Sequence, residues 1–101
     1  MTVAVLGGGI SGLAAAHYLK LSNPSRKVVI FEASHRLGGW IKSTKFDDGT
    51  VYEQGPRTLR GAGNAGANTL ALAESLGLTD RVISVPYSHP SAQNRLIQVC
   101  K

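Results

Sequence analysis

The chain has 101 residues, 43% of them hydrophobic and 17% charged, the balance of a folded globular segment and not of a disordered one. Eleven Lys and Arg against six Asp and Glu give a net charge of +5, yet the basic residues are scattered and form no arm of the kind that grips nucleic acid. The lone cysteine, Cys100, excludes an internal disulfide framework and a cysteine-based zinc cluster, and no apolar run approaches the ~18 residues that span a bilayer.

Taken in chain order, residues 2–6 (Thr-Val-Ala-Val-Leu) form a short apolar run that stops at Gly7-Gly8-Gly9. A continuous run of this length predicts a strand buried on both faces of a parallel sheet. Only Met1 and Thr2 precede or open it, so neither a secretory leader nor a cleavable presequence is expected. Residues 11–21 predict a helix with Leu13, Ala16, Leu19 and Leu21 as its buried stripe, stopped by Asn23-Pro24-Ser25. Residues 27–31 predict a second buried strand closed by Glu32. Strand, glycine turn, helix and strand within 31 residues make a βαβ unit.

Residues 41–46 and 50–53 predict a hairpin about Asp47-Asp48-Gly49. Residues 55–66, with four glycines and a proline, read as a loop, and residues 68–76 as a helix with Gly77 as its left-handed cap and Leu78 packing back on the last turn. Residues 82–85 and 96–99 are strand candidates. The fold class expected is α/β: a Rossmann-like FAD/NAD(P)-binding βαβ unit with an added hairpin and an incomplete parallel sheet. Two parallel strands cannot complete such a sheet, so apolar edges are expected to stay exposed.

Gly7-x-Gly9-x-x-Gly12 is weak as a bare pattern. Here it follows a strand, opens a helix, and is followed twenty positions after Gly12 by an acidic residue, Glu32, at the end of the second strand. That is a dinucleotide fingerprint in its structural context. Gly7 permits the tight turn, Gly9 lets bare backbone approach a pyrophosphate, and Gly12 allows the helix to pack close. The helix N-terminus offers N–H groups and a positive dipole end to phosphate. Glu32 is placed to accept hydrogen bonds from ribose hydroxyls and to repel a 2′-phosphate; the alternative is a glycine turn without ligand and an exposed capping glutamate.

A domain for nicotinamide alone runs from the acidic residue into another helix. This chain instead continues Glu32-Ala33-Ser34-His35-Arg36-Leu37-Gly38-Gly39-Trp40 into a hairpin. In Arg36-Leu37-Gly38-Gly39 it resembles the flavin-containing amine oxidase superfamily, whose second signature is an acidic residue, a spacer and Arg-x-Gly-Gly. The resemblance implies that the glycine pair lies close to the FAD pyrophosphate and that Arg36 supports that region. Many relatives carry a second arginine where Trp40 stands. Arg36 otherwise reads as a solvated arginine, and Trp40 as a local core filler.

Gly38-Gly39-Trp40-Ile41, Gly55-Pro56-Arg57 and His89-Pro90-Ser91-Ala92-Gln93-Asn94-Arg95, with Glu74-Ser75-Leu76-Gly77-Leu78 between, narrow the likeness further. In that order they are similar to the N-terminal part of the animal, oxygen-dependent protoporphyrinogen oxidase family. This implies FAD-dependent oxidation of protoporphyrinogen IX to protoporphyrin IX in haem synthesis, with molecular oxygen as acceptor and hydrogen peroxide as product. It also implies a homodimer peripherally associated with the inner mitochondrial membrane, on its intermembrane-space side, through parts not in this chain.

Carried over by position, the implied cofactor contacts are Gly7, Gly8, Gly9, Ile10, Ser11 and Gly12, with Glu32 and Ala33 at the adenosine ribose. Arg36, Gly39 and Trp40 follow, and Gly55, Pro56, Arg57 and Thr58 lie near the flavin ring. Arg57 either places a positive charge there or anchors its loop through carbonyls. Arg95 either pairs with a substrate propionate or faces water at a strand edge. No residue reads as a general base, nucleophile or metal ligand; His17, His35 and His89 read as structural or exposed. That suits a reaction whose chemistry the flavin performs.

Residues 1–101 are thus expected to be the N-terminal part of an FAD-binding domain, with residues 86–101 starting the substrate-binding region. The isolated chain is expected to lack oxidase activity and to hold FAD poorly. The alternatives are another flavin oxidoreductase of the superfamily, such as an amine oxidase or carotenoid desaturase, or a catalytically inactive FAD-binding fragment.

Overall fold

The computed structural model describes residues 1–86 and 88–90. It divides into two compact units, Met1–Leu59 and Arg60–Lys101. The strand expected at residues 96–99, Arg95 and Cys100 lie outside the described residues.

In the first unit, strand β1 (Thr2–Leu6) runs into helix α1 (Ile10–Ser22) and returns as strand β2 (Lys27–Phe31). β1 and β2 pair in parallel from Thr2↔Lys27 to Leu6↔Phe31. The expected βαβ order is therefore present, and its sheet has two strands. Helix α1 ends at Asn23, whose N–H still donates to the Leu19 carbonyl (3.3 Å) before Pro24 ends the run. The Lys20 ammonium donates to the carbonyls of Pro24 (2.7 Å) and Arg26 (2.9 Å), closing the helix end onto the start of β2.

Burial departs from expectation. Burial on β1 alternates, with Val3 and Val5 half-buried and Thr2, Ala4 and Leu6 exposed. The strand is not covered on both faces because only α1 packs on this sheet among the described residues. Leu6 is 84% exposed, and no apolar side chain among the described residues is fully buried. On α1, Leu13, Ala16 and Leu19 are half-buried as expected, whereas Leu21, the fourth residue of that stripe, is exposed.

The hairpin is formed by β3 (Ser43–Lys45) and β4 (Val51–Glu53), antiparallel, with Ser43 opposite Glu53 and Lys45 opposite Val51. Its strands are shorter than the alternation suggested, because the turn takes Phe46 to Thr50. Gly49 sits at φ +86°, its N–H donates to the Phe46 carbonyl (3.0 Å), and Phe46 N–H donates to the Thr50 carbonyl (2.9 Å). That is a three-residue loop closed by a left-handed glycine. The Thr50 N–H also donates to Asp48 Oδ1 (2.8 Å), which holds the Asp48 carboxyl below its usual range.

In the second unit, helix α2 (Gly63–Ser75) begins five residues before the expected start. Gly63 and Gly66 read as loop residues, but Gly66 is buried, and a Cβ there would run into the backbone of Arg60 and Gly61. Its missing side chain lets the incoming chain lie across the first turn. The other end is as expected. Gly77 stands at φ +67°, its N–H donates to the Glu74 carbonyl (2.9 Å), and Leu78 N–H donates to the Ala73 carbonyl (2.9 Å). This is the Schellman pairing.

Residues 82–85 do not form the expected strand. The chain passes through a short 3-10 turn (Thr79–Arg81) and continues extended, with Ile83 89% exposed. Branched apolar residues favour a strand where another strand pairs with them, and residues 82–85 pair with none of the strands among the described residues. No helix among the described residues is long and apolar enough to cross a membrane.

Candidate functional site

The fingerprint glycines occupy the turn between β1 and α1. Gly7 adopts φ +97°, and its N–H donates to the Phe31 carbonyl (2.8 Å), extending the parallel ladder by one bond. Gly12 is required by the chain itself, since a Cβ would overlap the Gly7 carbonyl oxygen and approach Val5 Cγ1 at 3.4 Å. Helix α1 opens with Gly9 as its cap, without a side-chain cap bond and without an acidic residue in its first turn. Its first bond runs from Leu13 N–H to the Gly9 carbonyl (3.0 Å), so Ile10, Ser11 and Gly12 have no intrahelical acceptor.

Gly9 differs from its neighbours. Its backbone is extended (φ −75°, ψ 179°), and a Cβ there would meet nothing nearer than Gly39 Cα at 3.9 Å. No internal contact demands glycine at this position. An open position at a helix N-terminus, flanked by donors and bare of side chain, fits a diphosphate.

Gly8 reads in the sequence only as an implied cofactor contact, and its part in joining the two loops is what motif reasoning missed. It fills a variable position of the pattern, yet it is the one buried residue of the first unit among those described. Its N–H donates to Glu32 Oε2 (2.6 Å), and its carbonyl accepts from the Gly38 N–H (2.8 Å). A Cβ on Gly8 would meet Leu37 Cδ2 at 2.5 Å and Glu32 Oε2 at 3.1 Å. The run of three glycines was the available signal.

Glu32 emerges from β2 facing this turn. Oε1 accepts from the Ser34 N–H (2.8 Å) while Oε2 holds Gly8. These bonds, Ser34 foremost and then Gly8, stabilise the anion and lower its pKa from 4.5 to about 2. Glu32 is ionised at every physiological pH, with lone pairs still open to a hydroxyl donor. Ala33 beside it is exposed.

The loop after β2 folds back onto the first. Gly9 and Gly38 form an isolated parallel bridge, and a Cβ on Gly39 would stand 3.1 Å from Gly9 Cα. Two glycine pairs distant in sequence thus meet backbone to backbone. Arg36 lies half-buried and donates to the carbonyls of Leu37 (3.2 Å), Ile41 (3.2 Å) and Gly39, all within its own loop. Trp40, in contrast, is 79% exposed and fills no core.

Gly55 passes directly beside this loop, for a Cβ there would collide with the Trp40 carbonyl and approach Ile41 Cα at 3.4 Å. The chain therefore brings Gly55 to Trp40, as a shared site requires. Pro56 and Thr58 are exposed. Arg57 makes no hydrogen bond or ion pair among the described residues, so it does not anchor its loop through carbonyls there. With Val51, Tyr52 and Glu53 it lines a cleft of about 350 Å³. Glu53 is held by the Ser43 hydroxyl (2.7 Å).

The histidines join no such cluster. The His17 ring lies 5.6 Å from Tyr18 at 68°, edge to face, and its Nε2 is buried without a partner among the described residues. His35 is exposed. No group of three metal-ligating side chains occurs among the described residues.

Comparison with known proteins agrees with this geometry. The flavin containing amine oxidoreductase family matches residues 10–98. The chain is 54% identical over 98 residues to the protoporphyrinogen oxidase of Bos taurus, covering 97% of this chain and 20% of that protein. It is 52% identical to the Homo sapiens protein of the same name, again over 97% of this chain and 20% of the other. A solved structure from Exiguobacterium sp. 255-15, provisionally named protoporphyrinogen oxidase, superposes with a TM-score of 0.68 at 33% identity, covering 78% of this chain and 17% of that one. The chain thus spans about a fifth of the length of the curated relatives it matches. With its paired glycine loops and ionised Glu32, the chain belongs to the flavin containing amine oxidoreductase family.

Proposed function

We propose that this chain is the nucleotide-binding part of an FAD-dependent protoporphyrinogen oxidase. The observation that carries the reading is the closure of the Gly7–Gly12 turn and the Gly38-Gly39 turn on one another beside an ionised carboxylate, in a chain 52–54% identical to proteins of that name. The β1–α1–β2 unit is taken as the start of a Rossmann-like domain. Residues 1–101 belong to the FAD-binding domain, and residues 86–101 lead into the substrate-binding region.

On this reading the Gly7 to Gly12 segment holds the FAD diphosphate, with Ile10 and Ser11 supplying backbone donors and Glu32 and Ala33 holding the adenosine ribose. Arg36, Gly39 and Trp40 frame the second glycine loop, while Gly55, Pro56, Arg57 and Thr58 lie toward the ring. FAD supplies hydride acceptance from the substrate and electron delivery to molecular oxygen. Arg57, without a partner among the described residues, contributes a cation where negative charge gathers on reduction. Arg95 offers a guanidinium to a propionate of protoporphyrinogen IX, a pairing that a planar fork makes bidentately. The enzyme is expected to be a homodimer at the inner mitochondrial membrane.

The test is made on the complete polypeptide that contains these residues, purified with its cofactor. It should oxidise protoporphyrinogen IX with uptake of oxygen and release of hydrogen peroxide, and Arg95→Ala should raise KM. Oxidation of amines or carotenoids in place of the porphyrinogen would overturn the substrate assignment. An unchanged KM in Arg95→Ala would overturn the role of Arg95.

A further inference from the structure

The loop after β2 carries an arginine whose bonds point inward. Gly38 and Gly39 both stand at positive φ, +105° and +58°, a double reversal that only glycines make without strain. The reversal leaves the carbonyls of Leu37, Gly39 and Ile41 facing the Arg36 guanidinium, with Nη1 donating to Leu37 and Ile41 and Nη2 to Gly39. Three of the five guanidinium N–H groups are thereby engaged by the loop itself. Among the described residues no strand or helix supplies donors to these carbonyls. Without Arg36 these carbonyls, all on exposed residues, turn to water, and the cross-link that holds the three of them together is lost.

What the loop holds in place is the glycine seam. Gly38 donates to the Gly8 carbonyl at 2.8 Å, Gly38 bridges Gly9, and the Ile41 N–H donates back to the Gly38 carbonyl at 3.0 Å. A methyl on Gly39 would stand 3.1 Å from Gly9 Cα, so from the Gly39 side the two turns are in tight contact. A small shift of the 36–41 loop therefore alters the surface offered at Gly9.

We infer that Arg36 is a positioning residue: it braces the 36–41 loop against the Gly8-Gly9 turn and acts on the cofactor through that loop, not as a direct ligand of the diphosphate. The inference rests on the reading of the site as a cofactor cradle. It also changes what a lysine can do at position 36. A phosphate contact needs a positive charge within reach, which an ammonium supplies. A brace needs a planar fan of donors reaching several fixed carbonyls, which an ammonium does not.

The experiment compares wild type, Arg36→Lys and Arg36→Ala in the complete polypeptide, with Arg36→Gln as a further neutral variant should Arg36→Ala fail to fold. The dissociation constant of FAD is measured over a range of salt concentrations, and amide exchange of the 36–41 segment is measured in protein stripped of cofactor. The brace predicts that Arg36→Lys fails to rescue: both variants weaken FAD at least tenfold, within about threefold of one another, with the salt slope of wild type. It also predicts faster exchange at Gly38 and Ile41 in both. A direct phosphate contact predicts near-wild-type affinity in Arg36→Lys, a shallower salt slope in Arg36→Ala, and unchanged exchange; that result, or no change in any variant, overturns the inference. If wild type itself ignores FAD, the cradle reading fails, whereas the exchange measurement still reports on the brace.

Discussion

Gly9→Ala separates what the fold needs from what a ligand needs. The Gly9 backbone lies at φ −75°, ψ 179°, which alanine adopts freely, and the new methyl would have Gly39 Cα at 3.9 Å as its nearest neighbour, an ordinary contact. As a helix cap, alanine is worse than glycine by about 0.5–1 kcal/mol. Against that, it restricts the unfolded chain by a similar 0.4–1 kcal/mol. The two effects offset, so folding stability should be almost unchanged. A diphosphate seated on that backbone would meet the methyl directly, and forcing an extra methyl into a packed contact costs about 1–3 kcal/mol. At 1.4 kcal/mol per decade this weakens FAD about 5- to 150-fold. Gly12→Ala is the contrasting control, because its methyl would overlap the Gly7 carbonyl and destabilise the fold before any ligand is added. Denaturant unfolding with FAD titration distinguishes the two. A Gly9→Ala protein that is stable and binds FAD like wild type would refute the argument.

Glu32 gives a pH dependence of definite sign. Its pKa is lowered in the folded chain from 4.5 to about 2, so the order it lends to the Gly8 turn is present above about 4.5 and is lost as pH falls through about 2. The protection of the Gly8 amide, taken as its exchange relative to an unstructured peptide at the same pH, should fall in that window, and a loss of protection between neutrality and pH 5 would contradict it. Trp40 is the only tryptophan in the chain and is 79% exposed beside the second glycine loop. Its emission in a polypeptide lacking other tryptophans should be quenched when FAD binds, and emission indifferent to FAD would remove Trp40 from the site.

Much of this arrangement was legible in the sequence because local chemistry and tertiary packing agree there. The run at residues 2–6, the Gly7-x-Gly9-x-x-Gly12 turn and Glu32 each follow from short-range rules, as does the Gly77 cap. The departures share one cause, that glycine and branched residues take their meaning from the backbone packed against them, which the local pattern does not show. Gly66 reads as a helix breaker, yet its missing Cβ makes room for residues 60 and 61. Residues 82–85 have strand composition but pair with none of the strands among the described residues. Gly8 reads as a cofactor contact at a variable position of the pattern, and only its bonds to Glu32 and Gly38 reveal a joint between two loops. The carbonyl fan around Arg36 is equally invisible in Arg-x-Gly-Gly, a pattern that records the residue but not its direction.

The central claim, that the paired glycine turns cradle a diphosphate with the adenosine ribose on Glu32, is tested most directly by equilibrium binding to the cofactor-free complete polypeptide. FAD should bind tightly, ADP should compete with it, and FMN, which lacks the adenylate, should bind far more weakly. FMN binding as well as FAD, with ADP unable to displace either, would contradict it.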